Sequence, residues 1–506
     1  GFIFFKGVYH AKSCKISHIW RNIKSKKAFM RNVCGREEEL KLLKKLLNAN
    51  EAQLLAVYGR RRVGKTYLIE NFFQDKGVFF RFTGMKGATL KEHLLIFQKD
   101  MSKQLVIDKK VPSFRNWLEA FFYLGDILKP LDCTKKIILF FDELPWIATR
   151  KSGFLKALEH FWNHTFSKNQ NAILVVCGSA ASWMIEKIVY NKGGLHNRLT
   201  AQIRLEPFSL KETEQYLQYK NIDLDRKQII DLYMVTGGVA KYLNYVEKGL
   251  SVAQNIQNMC FNYGAPLLQE YNNLFASLFD NHEDHEQIIK VLANKRIGFS
   301  YSELIRATKK KPGGYFSLIL TELKEAGFID FIPSFEKKKK EGKYYLIDEY
   351  SFFYLTWIKD LFQSKLQQLS KDHWLSMYGR AQHAAWSGFA FETLCRKNIK
   401  QIIKALKLEV VAMQAVHWQE KGLQIDLIID RRDNSMNLCE IKYYNQELNF
   451  SPEESKKLLF RREQFREKSK TKKTLFNTLI SIYGAKKNQS FLAAFDNEIT
   501  VEDFFI

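Results

Sequence analysis

Eight residues constrain this chain more than any others: Gly59-Arg60-Arg61-Arg62-Val63-Gly64-Lys65-Thr66, set between an apolar run at 54–58 and a helical pattern at 67–72. A GxxxxGK[ST] segment works by turning successive backbone N–H groups inward at a helix N-terminus, where they cradle a phosphate. Gly59 and Gly64 permit the tight turn. Lys65 is expected to reach the β- and γ-phosphates of a nucleoside triphosphate, and Thr66 to ligate Mg2+. The strand–loop–helix setting that this chemistry requires points to a layered α/β fold.

The second half of such a site is an apolar strand ending in acids. Ile137-Ile138-Leu139-Phe140-Phe141-Asp142-Glu143 supplies it. Asp142 is expected to hold the magnesium ion, usually through water, and Glu143 to orient and polarise the attacking water. No Asn-Lys-x-Asp segment is present to read guanine. The expected ligands are therefore ATP and Mg2+. Short, near-continuous apolar runs at 54–58, 78–82, 136–141, 172–177 and 202–205 alternate with helical patterns. That rhythm predicts a parallel sheet covered on both faces. From 209 to 270 the pattern is wholly helical, as suits a lid on that sheet.

At 506 residues the chain exceeds one hydrophobic core, and two to four domains are expected. Lys and Arg number 79 against 54 Asp and Glu, a formal charge of +25. Such a surplus attracts polyanions and makes nucleic acid the first partner to consider; the alternative is a lysine-rich composition with solvated basic faces. Seven scattered cysteines form no CxxC pair, which speaks against a zinc site or a disulfide framework and fits a reducing, cytoplasmic setting. No apolar run approaches the length of a membrane span. His282 and His285 have no further metal ligand nearby in sequence and read as a solvated helix start. Residues 1–29 carry seven Lys or Arg and no acid, and Met30 reads as a natural start before a domain. The tail is expected to be disordered or to lie upstream of the true start.

Helical patterns at 286–293, 301–307 and 313–326, then a hairpin at 328–347 with lysines 337–340 at its tip, predict a winged helix-turn-helix. If it binds DNA, the helix 313–326 enters the major groove, and the lysine tip and Lys309, Lys310 and Lys311 meet phosphates. A helical connector at 351–385 precedes strands at 408–416, 424–429 and 437–443. Strand alternation puts Glu440 and Lys442 on one face, and a hairpin brings Asp426 to it. Paired carboxylates can hold a divalent metal, and the lysine can activate water for phosphodiester attack. The alternative is a hairpin acid beside a surface ion pair.

Gly35-Arg36-Glu37 ahead of a helix, followed by Tyr58 and the triple-arginine loop, resembles the archaeal-type ATPase family, a branch of the AAA+ and STAND-like P-loop ATPases. Further matches run through Val176-Cys177-Gly178-Ser179, Asn197-Arg198-Leu199-Thr200, Leu205-Glu206-Pro207-Phe208-Ser209 and Thr236-Gly237-Gly238-Val239-Ala240-Lys241-Tyr242-Leu243. The resemblance covers about 33–250. It implies that Ser179 is a polar sensor beside the γ-phosphate. It makes Arg198 a candidate for stabilising transition-state charge, in cis or across an interface with a second copy, and Lys241 a lid-borne sensor. In the family a glycine often precedes that arginine, where this chain has Asn197.

The arrangement around Asp426, Glu440 and Lys442 resembles the PD-(D/E)xK nuclease superfamily. The helix at 386–392 resembles its first motif and adds Glu392 to the expected metal ligands. The resulting plan is α/β: a P-loop core at 30–208, a helical lid at 209–280, a winged helix at 281–350, a connector at 351–385 and a nuclease-like domain at 386–506. The expected function is an ATP-hydrolysing switch acting on DNA, with a homo-oligomer as a further expected assembly. The competing expectation is a regulatory ATPase whose C-terminal domain is a catalytically silent binding module.

Overall fold

The computed structural model describes residues 33–506 except 106, 108–109, 131–134, 191–197, 280, 296, 336–340, 363–371 and 421–422. The basic tail at 1–29 and the lysine tip at 337–340 lie outside the described residues.

The N-terminal half is built on five parallel strands: β1 (Gln53–Tyr58), β2 (Gly77–Thr83), β3 (Lys136–Asp142), β4 (Ala172–Gly178) and β5 (Ala201–Arg204), in the order β2-β3-β4-β1-β5. Alternate residues of each strand point to opposite faces, and both faces are dry. Leu54, Ala56, Leu139, Phe141, Leu174 and Val176 pack under the helices Leu90–Gln104, Trp117–Leu128 and Phe154–His164. Leu55, Val57, Ile138, Phe140, Ile173 and Val175 face Glu37–Leu47 and Lys65–Phe73. The continuous apolar runs in the sequence are thus strands buried twice over. Between β1 and β3 lies β4, so the end of β4 separates the phosphate-loop strand from the paired-acid strand.

From Leu210 the chain is helical as far as β6 (Ile329–Pro333) and β7 (Gly342–Leu346), an antiparallel hairpin. Three helices lead into it: His282–Ala293, Tyr301–Thr308 and Gly314–Glu325. The hairpin leans on the C-terminal sheet, where the Phe335 amide donates to the His417 carbonyl at 2.9 Å and the His417 amide to that of Pro333 at 2.9 Å. That sheet comprises β8 (Ala412–Val416), the short pair β9 (Gln419–Glu420) and β10 (Leu423–Gln424) beside it, then β11 (Leu427–Arg431), β12 (Ser435–Lys442), β13 (Thr474–Ser481) and β14 (Asn497–Ile499). Its five-strand order is β14-β13-β12-β11-β8, antiparallel at β8-β11-β12 and parallel at β12-β13-β14. One continuous apolar core joins the helices that follow β5, the three helices before the hairpin and one face of this sheet, from Phe208 to Phe505.

One expectation is corrected here. His285 is buried, not solvated: its ring stacks on Phe279 at 3.9 Å and its Nε2 lies 2.7 Å from a Glu322 carboxylate oxygen. The helix Gly314–Glu325 lines a cleft against the ATPase core with Tyr315, Leu318 and Glu322, and Tyr315 and Leu318 are about half exposed. Arg204 NH1 of β5 holds its last residue, Glu325, at 3.0 Å. Among the described residues, no helix is long and apolar enough to cross a membrane.

Candidate nucleotide site

The loop leaves β1 at Gly59, whose φ of +139° and crowding both require glycine: an added Cβ would sit 3.1 Å from the Leu205 carbonyl carbon and closer still to its oxygen. The Leu205 amide donates to the Tyr58 carbonyl at 2.7 Å, which fixes that approach. Gly64, at φ +99°, opens the helix Lys65–Phe73, and its surroundings are open. Lys65 is buried, and its Nζ donates to the carbonyls of Gly59 and Arg60, both at 2.9 Å, and to Ser179 Oγ at 3.1 Å. Burial lowers its pKa.

The acids expected to complete the site converge on the loop. Thr66 Oγ1 donates to Asp142 Oδ2 at 2.8 Å, and Arg81 NH2 lies 3.1 Å from the same oxygen. Glu143 follows β3 with φ +49°, and its Oε1 accepts from Ser179 Oγ at 2.9 Å. Lys65, Ser179 and Glu143 therefore form one hydrogen-bonded line at the ends of β1, β4 and β3. The donor set fits ATP with Mg2+. A hydroxyl and one carboxylate side by side match an ion that keeps several waters and takes its other ligands from phosphates. A buried ammonium matches the phosphate charge.

The loop is expected to bind through its backbone, and the side chains of its three arginines take separate paths. Arg60 does not face a phosphate. Its guanidinium is buried, pairs with Asp348 and lies 5.0 Å from the Phe328 ring centroid. Arg62, at φ +69°, pairs with Glu270, which also accepts from Tyr242 Oη at 2.9 Å. Both side chains are thus claimed by the chain beyond the ATPase core, and only their backbone remains for a nucleotide. The reason is charge: each finds a buried carboxylate that would otherwise be unpaired. Arg61, half-buried, makes no ion pair among the described residues and is the side chain left to serve an anion. The side chain of Val63 is 1% exposed and packs in the core, and its carbonyl accepts from Arg36 NH2 at 3.3 Å.

Arg198 is not brought to the loop. It precedes β5, whose Ala201 pairs with Leu55, so it sits level with the start of β1, roughly 20 Å from the loop at a rise of ~3.3 Å per residue. In cis it has no route to the phosphates, which corrects that half of the expectation. The Lys241 amide donates to the Arg62 carbonyl at 3.3 Å, so the helical segment after β5 touches the loop there. Its Nζ instead lies 5.1 Å from the Tyr245 ring centroid. A cleft of about 890 Å³ opens beside Glu143 and Ser179, walled by Trp146, Trp183, Tyr315 and Leu318.

In the C-terminal sheet Asp426 and Glu440 come to one locality. Asp426 Oδ2 accepts from the Ile441 amide at 3.0 Å. Burial, then the charges of Glu440 and Glu392, push its carboxyl up to about 7. Glu440 is held by Lys442 at 2.8 Å and by Arg461, while Glu392 is held by Arg396 at 2.9 Å. Among the described residues, no three acids, histidines or cysteines stand close enough together to hold a metal ion.

Sequence reasoning missed Arg81, Glu270 and Asp348. Arg81 had a signal, a charge inside the apolar run Phe79-Phe80-Arg81-Phe82. The other two had none near the loop, because their partners are 208 (270 minus 62) and 288 residues away.

Residues 34–246 match the model of an ATPase domain found predominantly in Archaea, and residues 361–458 a family of archaeal and bacterial proteins of unknown function. An uncharacterized protein of Methanocaldococcus jannaschii is 23% identical over 81% of this chain and 87% of its own. An uncharacterized ATP-binding protein of the same organism is 25% identical over 51% of this chain and 82% of its own. Among solved structures, a Walker-type ATPase of Pyrococcus abyssi aligns with 64% of this chain and 96% of its own at 18% identity and a TM-score of 0.47. The ORC2 protein of Aeropyrum pernix, in its ADPNP–ADP complexes, aligns with 67% and 96% at 15% identity and a TM-score of 0.42.

Proposed function

Taking residues 34–246 as an ATP-binding P-loop ATPase domain of archaeal type, we propose that the chain is an ATP-hydrolysing switch whose turnover repositions the helical lid and the units packed on it. The observation that carries this reading is the junction of three strand ends: Lys65 on Ser179, Ser179 on Glu143, and Thr66 on Asp142. The loop amides and Lys65 bind and orient the triphosphate. Thr66 and Asp142 hold Mg2+, which when bound neutralises charge on the β- and γ-phosphates. Glu143 orients the attacking water, and Ser179 keeps its carboxylate aimed at the phosphate end of Lys65. Arg61 serves the phosphates in cis. Arg198 serves the site of a second copy, which makes a homo-oligomer the active form.

The substrate of the switch is nucleic acid, on the charge of +25 and on three helices plus a hairpin in winged-helix order. ATPase rate with and without DNA, in wild type and Lys65→Ala, tests it. Stimulation by DNA that vanishes in the variant supports the reading, and a rate indifferent to DNA opposes it. DNA retention at ~6–10 phosphate contacts falls ~10³–10⁵-fold between 50 and 200 mM salt.

A second reading treats the C-terminal sheet as a silent binding module. The hold of Lys442 and Arg461 on Glu440 favours it. Plasmid cleavage with Mg2+ or Mn2+, lost in Lys442→Ala with ATP turnover retained, would instead mark a nuclease that uses Glu392, Asp426 and Glu440 as metal ligands.

A further inference from the structure

The phosphate loop is anchored from outside the ATPase domain. The Arg60 side chain runs away from the loop into a buried pocket, where its one ion pair among the described residues is with Asp348, 288 residues downstream. Arg60 is 4% exposed and Asp348 1%. Among the described residues two of the guanidinium nitrogens, Nε and NH2, have no hydrogen-bond partner; Asp348 supplies the one ion pair, with the Glu349 charge and the Phe328 ring adding weaker attraction.

Taking a guanidinium and a carboxylate out of water costs several kcal/mol per ion before their attraction is counted. An arginine that merely decorated the loop would avoid that cost by staying in solvent. The position of the anchor gives it consequence: the Arg60 carbonyl is one of the two that hold the Lys65 ammonium. Whatever fixes the Arg60 side chain therefore fixes an oxygen that places the phosphate-binding lysine.

The anchor is itself rigidly mounted. Asp348 Oδ2 caps the helix Glu349–Trp357 by accepting from the Ser351 amide at 2.9 Å. The next residue, Glu349, accepts from Lys397 Nζ at 2.7 Å, tying that helix to Ala381–Lys397. A second tie, Arg62 to Glu270, braces the other side of the loop from the lid.

We infer that Asp348 is a positioning residue of the nucleotide site: through Arg60 it holds the phosphate loop in its binding shape, so the ATPase domain depends on the C-terminal half for a formed site. This rests on the reading that the loop binds ATP. Asp348 touches no nucleotide, and its contribution is preorganisation. Loss of preorganisation weakens substrate and transition state alike, which raises KM and leaves kcat. Loss of folded protein lowers kcat and leaves KM, so the two roles separate.

The test uses the full chain: steady-state ATPase kinetics and ATP affinity by calorimetry for wild type, Asp348→Asn, Asp348→Glu and Glu270→Gln. Asn keeps one oxygen as the acceptor for Ser351 and turns its NH2 toward Arg60, removing both the charge and the acceptor there. The expected result for Asp348→Asn is a KM and Kd for ATP raised about ten-fold or more, with kcat within about two-fold of wild type. Asp348→Glu should restore part of the affinity. Glu270→Gln, at the other tie, should move KM in the same direction and stands in if Asp348→Asn does not fold. An unchanged KM in the folded variants, or a kcat that falls with the folded fraction at constant KM, overturns the inference and leaves ATP binding by wild type intact. No ATP binding by wild type would overturn both.

Discussion

The two glycines of the phosphate loop make different demands, and substituting each with alanine separates them. Gly64 has φ +99° in open space, so Gly64→Ala should cost only the strain of a positive φ, ~1–3 kcal/mol. Gly59 has φ +139° and adds a backbone collision, since its Cβ would meet the Leu205 carbonyl well inside van der Waals contact. Leu205 cannot yield alone, because its amide is bonded to the Tyr58 carbonyl and β5 is paired to β1 from Leu55 onward. Relieving the collision means shifting β5 against β1, an overpacking cost of a further ~1–3 kcal/mol. Gly59→Ala should therefore unfold earlier than Gly64→Ala by about that difference, roughly 2–10 °C for a unit of this size. Scanning calorimetry of both variants, following the transition that ATP shifts upward, gives the comparison. Equal transition temperatures, or a less stable Gly64→Ala, would refute the close approach of the loop to Leu205 and the strand register behind it.

Two further outcomes follow from the site and its anchor. Glu143→Gln should bind ATP as wild type does while hydrolysing it about 10²-fold or more slowly, measured by calorimetry beside turnover; comparable loss of both would remove Glu143 from the hydrolytic role. The Asp348 carboxyl is pushed up by burial, but the Arg60 charge and hydrogen bond prevail and hold it below the usual range. A depressed folded pKa contributes stability above the unfolded value of ~3.9 that is lost as pH falls through the folded one. Urea midpoints should thus fall more steeply below pH ~5 in wild type than in Asp348→Asn, and parallel curves would contradict the pairing.

Local pattern carried much of this architecture, and its failures share one cause. The apolar run at 172–177 is β4, Ala172–Gly178, and that at 136–141 is β3, Lys136–Asp142, because a strand buried on both faces must be apolar at every position. The loop chemistry was legible for the same reason: a phosphate cradle needs glycine, lysine and threonine at fixed offsets, and Lys65, Thr66, Asp142 and Glu143 do meet. What a single sequence does not encode locally is which distant carboxylate a side chain will find. Arg60 and Arg62 sit in the loop beside Lys65, and nothing near them in sequence announces that Asp348 and Glu270 hold their side chains. Arg198 looked close by motif order, but parallel pairing of β5 to β1 puts it at the far end of the sheet. His285 read as solvated since neither Phe279 nor Glu322 announces that it will cover the ring.

The measurement that tests the central claim most directly is calorimetric titration of the full chain with ATP and Mg2+, in wild type and in Lys65→Ala. The account predicts one ATP bound per chain by wild type and a loss of that binding when the buried ammonium beside Gly59, Arg60 and Ser179 is removed. Undiminished binding in the variant, or none in the folded wild type, would contradict it.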